Sequence, residues 1–176
     1  DEAITSVFGD EGNNMTMIQF GPTIYDLVEI KGSIGYFHGE ATRVSASGAS
    51  SSQEDALNLY PVALDITGRL DVLPEQPVVP FAGAGVDYFF WREVWEGSGG
   101  GGDGTIKGGK PGWHQTYGAH ILLDTFDQPR ASRLQAVTGI TDSYITVEYR
   151  TQKIGEELSG LKFSAETLTF GLKFDH

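Results

Sequence analysis

Along most of the chain, bulky apolar side chains fall on every second position. From Tyr60 to Val72 the even positions read Tyr60, Val62, Leu64, Ile66, Gly68, Leu70 and Val72, and between them stand Pro61, Ala63, Asp65, Thr67, Arg69 and Asp71. A period of two places these two sets on opposite faces of an extended strand, and no amphipathic helix carries it. The same alternation recurs in 15–24, 27–41, 78–94, 113–125, 144–153 and 161–174, so seven strands are predicted. Most reach the ~9–11 residues that a tilted membrane-crossing strand needs. Between them, Tyr25-Asp26 and 73–77 are short, whereas 42–56 and the Gly-rich 96–112 are long. Short turns at one end and long loops at the other is the plan of an outer-membrane barrel. Segment 126–143 is the exception, and Pro129–Val137 within it predicts a short helical turn with proline near its start.

The fold class expected is therefore all-β: one antiparallel up-and-down transmembrane β-barrel of about eight strands, spanning 1–176 as a single domain. The last strand ends at Phe174 on the short-turn side, and counting back makes the first visible strand run away from the long loops. An even-stranded barrel needs one more strand in the opposite direction, and 3–8 is too short for it, so that strand is expected upstream of residue 1. The opening Asp1-Glu2-Ala3 is acidic and no apolar core follows, unlike a signal peptide, so a processed or truncated N-terminus is expected.

Composition narrows the function. The chain has 176 residues, 12 Lys plus Arg against 24 Asp plus Glu, a net charge of −12, 24 glycines and no cysteine. An acidic chain without a basic stripe argues against nucleic acid as a partner. Without cysteine there is no disulfide, thiol nucleophile or thiolate metal site. No apolar run approaches the ~20 residues of a spanning helix, which leaves a membrane β-barrel untouched.

Alternation alone does not say which face points outward. The apolar face could line a soluble, lipocalin-like ligand-binding barrel, or it could face lipid. The polar face decides: it mixes Gly, Ala, Ser and Thr with both charge signs, which suits a narrow interior better than a water-facing surface. The predicted interior charges are Glu29, Lys31, Asp65, Arg69, Asp87, Glu93, His114, His120, Asp124, Glu148 and Arg150. Unpaired charges there would cost several kcal/mol, so they are expected to pair across strands into a plug. Aromatics collect near strand ends: Tyr36, Tyr60, Trp91, Trp95 and Trp113 towards the long loops, and Phe81, Phe126, Tyr144 and Phe174 at the other end. Two such girdles mark a membrane interface.

At this point the chain resembles a family of small outer-membrane β-barrel proteins found in myxobacteria and related deltaproteobacteria, of OmpA or OmpW size. The matching stretches are Leu57–Asp71, Val79–Trp91, Gly112-Trp113-His114, Leu122–Asp124 and Gly139–Tyr149. The resemblance implies the fold and an outer-membrane location, with a first strand preceding the part seen here, and it implies no activity.

Motifs that suggest chemistry fail on inspection. Gly104 to Lys110 has phosphate-loop spacing, but Pro111 replaces the hydroxyl residue and blocks the following helix, so a flexible loop is expected. Gly83-Ala-Gly85 lacks the third glycine of a dinucleotide site. His114 and His120 lie six apart, ~20 Å along a strand, too far to share one metal. No catalytic, cofactor or metal residues are assigned. The function expected is a non-enzymatic structural or interaction module of the bacterial outer membrane, with outer-membrane lipid and other envelope proteins as partners. A soluble ligand-binding barrel and a narrow ion channel are the alternatives.

Overall fold

In the computed structural model the described residues are 15–44, 50–73, 75–95, 104–155 and 163–176, the side chains of 40–44, 50–56, 93, 95 and 163 excepted. The alternating segments form strands: β1 Met15–Phe20, β2 Thr23–Ile24, β3 Val28–Val44, β4 Ser50–Arg69, β5 Val78–Trp95, β6 Gly104–Leu122, β7 Asp142–Ile154 and β8 Phe163–Asp175. They make one antiparallel sheet in the order β1-β3-β4-β5-β6-β7-β8, with β2 beside β3. Each strand pairs with its sequence neighbour, an up-and-down meander curled into a half-barrel. β1 and β8 run in the same direction, and no ladder joins them among the described residues. Among the described residues no helix is long and apolar enough to cross a membrane.

The turns follow their residues. Tyr25 and Asp26 take φ of 51° and 57°, the left-handed pair of a type I′ hairpin turn, closed by Leu27 N–H donating to Ile24 O at 3.1 Å. At the β4–β5 turn one side chain does the stapling: Gln76 Nε2 donates to Leu70 O at 2.7 Å and Val78 O at 2.8 Å. After β6 a 3₁₀ turn, Asp124–Phe126, leads into α1, Gln128–Thr138. Asp127 caps it by accepting from Arg130 N, Pro129 stands in the first turn, and Gly139 ends it at φ 78°. The helix predicted around 129–137 is present, at the short-turn end.

Three boundaries differ from expectation. β1 does not run unbroken to residue 24, because Gly21-Pro22 interrupts it before β2. The supposed loop 42–56 is largely strand, since β3 continues to Val44 and β4 starts at Ser50. The Gly-rich stretch 104–112 is likewise the start of β6 rather than a loop. Its glycines accommodate the aromatics of β5: a Cβ on Gly108 would sit 2.7 Å from the Trp91 ring, and one on Gly109 2.5 Å from Tyr88. Glycine normally weakens a strand, but here it lets a neighbouring ring lie flat across it. The phosphate-loop spacing therefore falls inside a ladder, paired residue for residue with 88–95.

The two faces are sorted by polarity, opposite to a water-soluble sandwich. Among the described residues few apolar side chains are buried: Val79, Leu122 and Tyr144 form a cluster, and Ala63, Phe81, Phe89 and Ile154 are buried outside it. On the outer face Ile18, Phe20, Ile34, Leu64, Ile66, Val86, Leu168, Phe170 and Leu172 are all more than half exposed. On the inner face Glu29, Lys31, Asp65, Arg69, Asp87, His114, His120, Glu148 and Arg150 are buried.

Close packing across the inner face gives a direct test. A Cβ on Gly118 would lie 2.3 Å from Val147 O and 2.5 Å from the Phe81 ring, whereas one on Gly171 meets nothing within 4 Å. Gly118→Ala should destabilise the refolded protein by ~1–3 kcal/mol through overpacking, and Gly171→Ala should be neutral or slightly stabilising. Denaturant unfolding of the two variants checks this, and equal midpoints would refute the packing.

Candidate functional site

The inner face is one continuous charge network with two centres. In the middle of the sheet Asp65, Gly85 and His114 are cross-strand partners on β4, β5 and β6. Gly85 has no side chain, so the His114 imidazole extends over it: a Cβ there would fall 2.6 Å from His114 Cε1. His114 Nε2 thereby reaches Asp65 Oδ1, two strands away, while Nδ1 lies 2.8 Å from Asp87 Oδ2. An ionised carboxylate only accepts hydrogen bonds, so with Asp65 and Asp87 both ionised each ring nitrogen donates and the ring is an imidazolium. Arg150, from β7, adds Nη2 to Asp65 Oδ1 at 3.3 Å and to Glu148 Oε1 at 3.0 Å.

The second centre sits at the short-turn end. Arg69 Nη1 is 3.1 Å from Glu29 Oε1 and 2.9 Å from Asp175 Oδ2, and Nη2 is 3.1 Å from Asp71 Oδ2. Lys173 on β8 reaches Glu29 Oε1 at 3.1 Å and pairs with Asp175. Lys31 bridges the centres, 3.8 Å from Glu29 and 3.9 Å from Glu148. Above this, His120 stacks on Phe81 at 4.4 Å and Nδ1 meets Thr146 Oγ1 at 2.9 Å.

These contacts set the curvature. β3 and β8 are five places apart in the sheet order, and β4 and β7 three, yet their side chains meet. The charges also balance: buried Glu29, Asp65, Asp87 and Glu148 face buried Lys31, Arg69, Arg150 and the His114 imidazolium, four against four. The chain's acidic excess lies partly at the short-turn end, where Asp26, Asp71, Glu75, Asp142 and Asp175 surround an open cavity of about 600 Å³.

Of the residues predicted for the interior, Glu29, Lys31, Asp65, Arg69, Asp87, His114, His120, Glu148 and Arg150 are buried there together. Asp124 is not: β6 stops at Leu122, and Asp124 opens the 3₁₀ turn beyond it. The Glu93 side chain lies outside the described residues. Asp65 and Arg69 pair across strands: Asp65 joins His114 and Arg150, and Arg69 joins Glu29. Lys173, Asp71 and Asp175 were missed, although Lys173 stands on the polar face of the last alternating segment. Among the predicted interface aromatics, Tyr36, Tyr60, Trp113 and Phe174 are on the outer face and exposed. Trp91 shares the inward parity of Asp87 and Phe89, and Phe81 and Tyr144 are buried inside, so these three leave the girdles. The Trp95 side chain lies outside the described residues.

Most of the network's polar atoms meet one another, while Glu29 Oε2, Asp65 Oδ2, Arg69 Nε, Asp87 Oδ1 and His120 Nε2 are buried without a hydrogen-bond partner. Asp65, Thr67, His114 and Thr116 have 0% exposure. Among the described residues no group of three His, Asp or Glu side chains could hold a metal ion. No family model, curated protein or solved structure matches the chain.

Removing one partner of such a pair strands a buried charge, at ~3–5 kcal/mol. Arg150→Ala, which leaves Asp65 and Glu148 short of a cation, should lower the unfolding midpoint markedly. Lys107→Ala, on the exposed face, should leave it unchanged. Thermal or denaturant unfolding followed by circular dichroism reads both, and equal midpoints would refute the network's structural role.

Proposed function

We propose that this chain is an integral β-barrel protein of a bacterial outer membrane, holding its apolar outer face in lipid and acting as a non-enzymatic structural or interaction module of the envelope. One observation carries the reading: neighbours on a single strand reverse their ordinary burial, Leu64 being 55% exposed and Asp65 0%. In water, an exposed belt of this kind would aggregate, whereas lipid tails cover it without penalty. On β4 the belt runs from Tyr60 to Leu70, which at ~3.3 Å per residue and ~40° tilt rises roughly 25 Å, the height of a barrel's apolar band. Tyr36, Tyr60 and Phe90 cap it towards the long-loop end, the two tyrosine rings 5.4 Å apart, and Phe20 and Phe174 lie towards the other end.

The alternatives fit less well. A lipocalin-like barrel needs its apolar face inward, and here that face is outward. A channel needs a water-filled path, and the full burial of Asp65, Thr67, His114 and Thr116 favours a plug over a pore. The same burial leaves the His114–carboxylate group no exposed face for a substrate, which supports a non-enzymatic role. The resemblance to small myxobacterial outer-membrane barrels belongs to this same proposal. The working surface is then the long-loop end, where β3–β6 extend beyond the girdle.

Leu64→Arg should impair insertion, since Arg at the midplane of a lipid face costs ~2–4 kcal/mol. Ala63→Ser, facing inward directly opposite Ser33, should insert like the wild type. Flotation with phosphatidylcholine vesicles and heat-modifiable gel migration report both. Wild type that stays soluble without detergent and fails to float refutes the membrane reading; Leu64→Arg inserting normally refutes the assigned facing.

A further inference from the structure

Just beyond the girdle, on the same outer face, the register lines up a row of hydrogen-bond donors. Asn58, Arg92 and Lys107 are direct cross-strand partners on β4, β5 and β6. Each lies two residues beyond a belt position, Tyr60, Phe90 and Gly109 respectively. Arg92 and Lys107 are exposed, and neither forms an ion pair among the described residues. Like charges directly opposite each other on adjacent strands repel. The sheet supplies no counter-charge: the other positions around Arg92 on this face carry Phe90, Val94, Tyr60, Ala56, Gly109 and Thr105. In a chain of net charge −12, whose interior cations are all matched, an uncompensated cation pair is a local exception.

Asn58 extends the row. Its Oδ1 accepts from Tyr36 Oη at 3.1 Å and lies 2.9 Å from His38 Nδ1, which leaves the amide N–H groups free to donate. Three donor groups thus stand side by side, spaced by the ~4.8 Å between strands, with no carboxylate among the described side chains directly beside them. A phosphate oxygen cluster fits such a row, with Arg binding bidentately and Lys as a point charge.

We propose that Asn58, Arg92 and Lys107 form a binding site for the phosphate of an anionic lipid headgroup, held against the long-loop rim of the belt. The inference rests on the membrane reading, because the tails of that lipid would lie along Tyr60 and Phe90 while its headgroup meets the row. The bound anion would also remove the repulsion between Arg92 and Lys107, so the site and the local register support each other.

The test uses the whole chain and an Arg92→Gln/Lys107→Gln variant, each inserted into vesicles of phosphatidylcholine with and without phosphatidic acid. Both should float and show heat-modifiable migration, since neither side chain holds a structural partner. After detergent extraction and washing, native mass spectrometry should find phosphatidic acid retained on the wild type, and its apparent affinity about 30-fold weaker on the variant, ~2 kcal/mol for two interfacial cations. Equal retention by both proteins overturns the site. Displacement of the lipid by millimolar inorganic phosphate, with the tails contributing nothing, overturns the lipid as its ligand. Failure of both proteins to float refutes the membrane reading instead, which keeps the two proposals separable.

Discussion

Mutual compensation of charge inside a sheet that has almost no apolar core is the constraint on which the remaining structure depends. Among the described residues the buried apolar side chains are Ala63, Val79, Phe81, Phe89, Leu122, Tyr144 and Ile154, too few for hydrophobic burial within the chain to account for the fold. The inner face consists of ions that would cost several kcal/mol each if stranded. They are tolerable only in company: His114 needs Asp65 and Asp87 together, and Arg150 needs Asp65 and Glu148. Because these partners lie on different strands, the ions become satisfied only when β3 through β8 have curled to bring them within reach. Curvature and neutralisation are one event.

That dependence explains the placement of small residues. Two long inward side chains lie over a glycine of the neighbouring strand: His114 over Gly85, and Phe81 over Gly118. The same device serves the aromatics of β5 at Gly108 and Gly109. A chain rich in glycine and poor in charge is therefore consistent with a tightly filled, ion-paired interior rather than with loose loops. The outer face has the opposite economy. Its residues contact little within the chain, and their stabilisation has to come from whatever surrounds the barrel, which in the proposed function is lipid.

Much of this was legible in the sequence, because a period of two assigns each residue to a face without reference to any partner. Parity puts Leu64 and Asp65 on opposite faces, and the small, mixed-charge composition of the polar face then places Asp65, Glu148 and Arg150 inward. Legibility ended where neighbouring strands decide. Gly104–Gly112 reads as a loop by composition and is a strand, since only the rings of Trp91 and Tyr88 opposite explain its glycines. Trp91, Phe81 and Tyr144 were assigned to the girdles by their nearness to strand ends, although the parity of Trp91 and Phe81 with Asp87 already placed those two on the inner face. Asp124 kept the parity of His114 and His120 but fell past the end of β6, and parity does not say where a strand stops. Ion-pair partners were beyond reach for a further reason: Arg69 finds Glu29 and Asp175 only after the sheet has curled.

The alternation and the ion network also divide the work of specifying register. Slipping one strand by a single residue would drive its apolar set inward and its charges out, so patterning alone forbids it. A slip of two residues preserves every facing, and patterning is blind to it. The network is not. Shifting β6 by two against β5 would move His114 from Gly85 to Gly83 or Asp87. At Gly83 the ring would stand beside Thr67 rather than Asp65, and at Asp87 it would meet a side chain where it now has space. Either slip separates the imidazolium from one of its two carboxylates and leaves Arg150 to neutralise the remainder. A step of two residues, free on the outer side, thus costs a buried ion pair on the inner side. The interior charges are thereby the element that selects one meander from the several that the alternating pattern would accept.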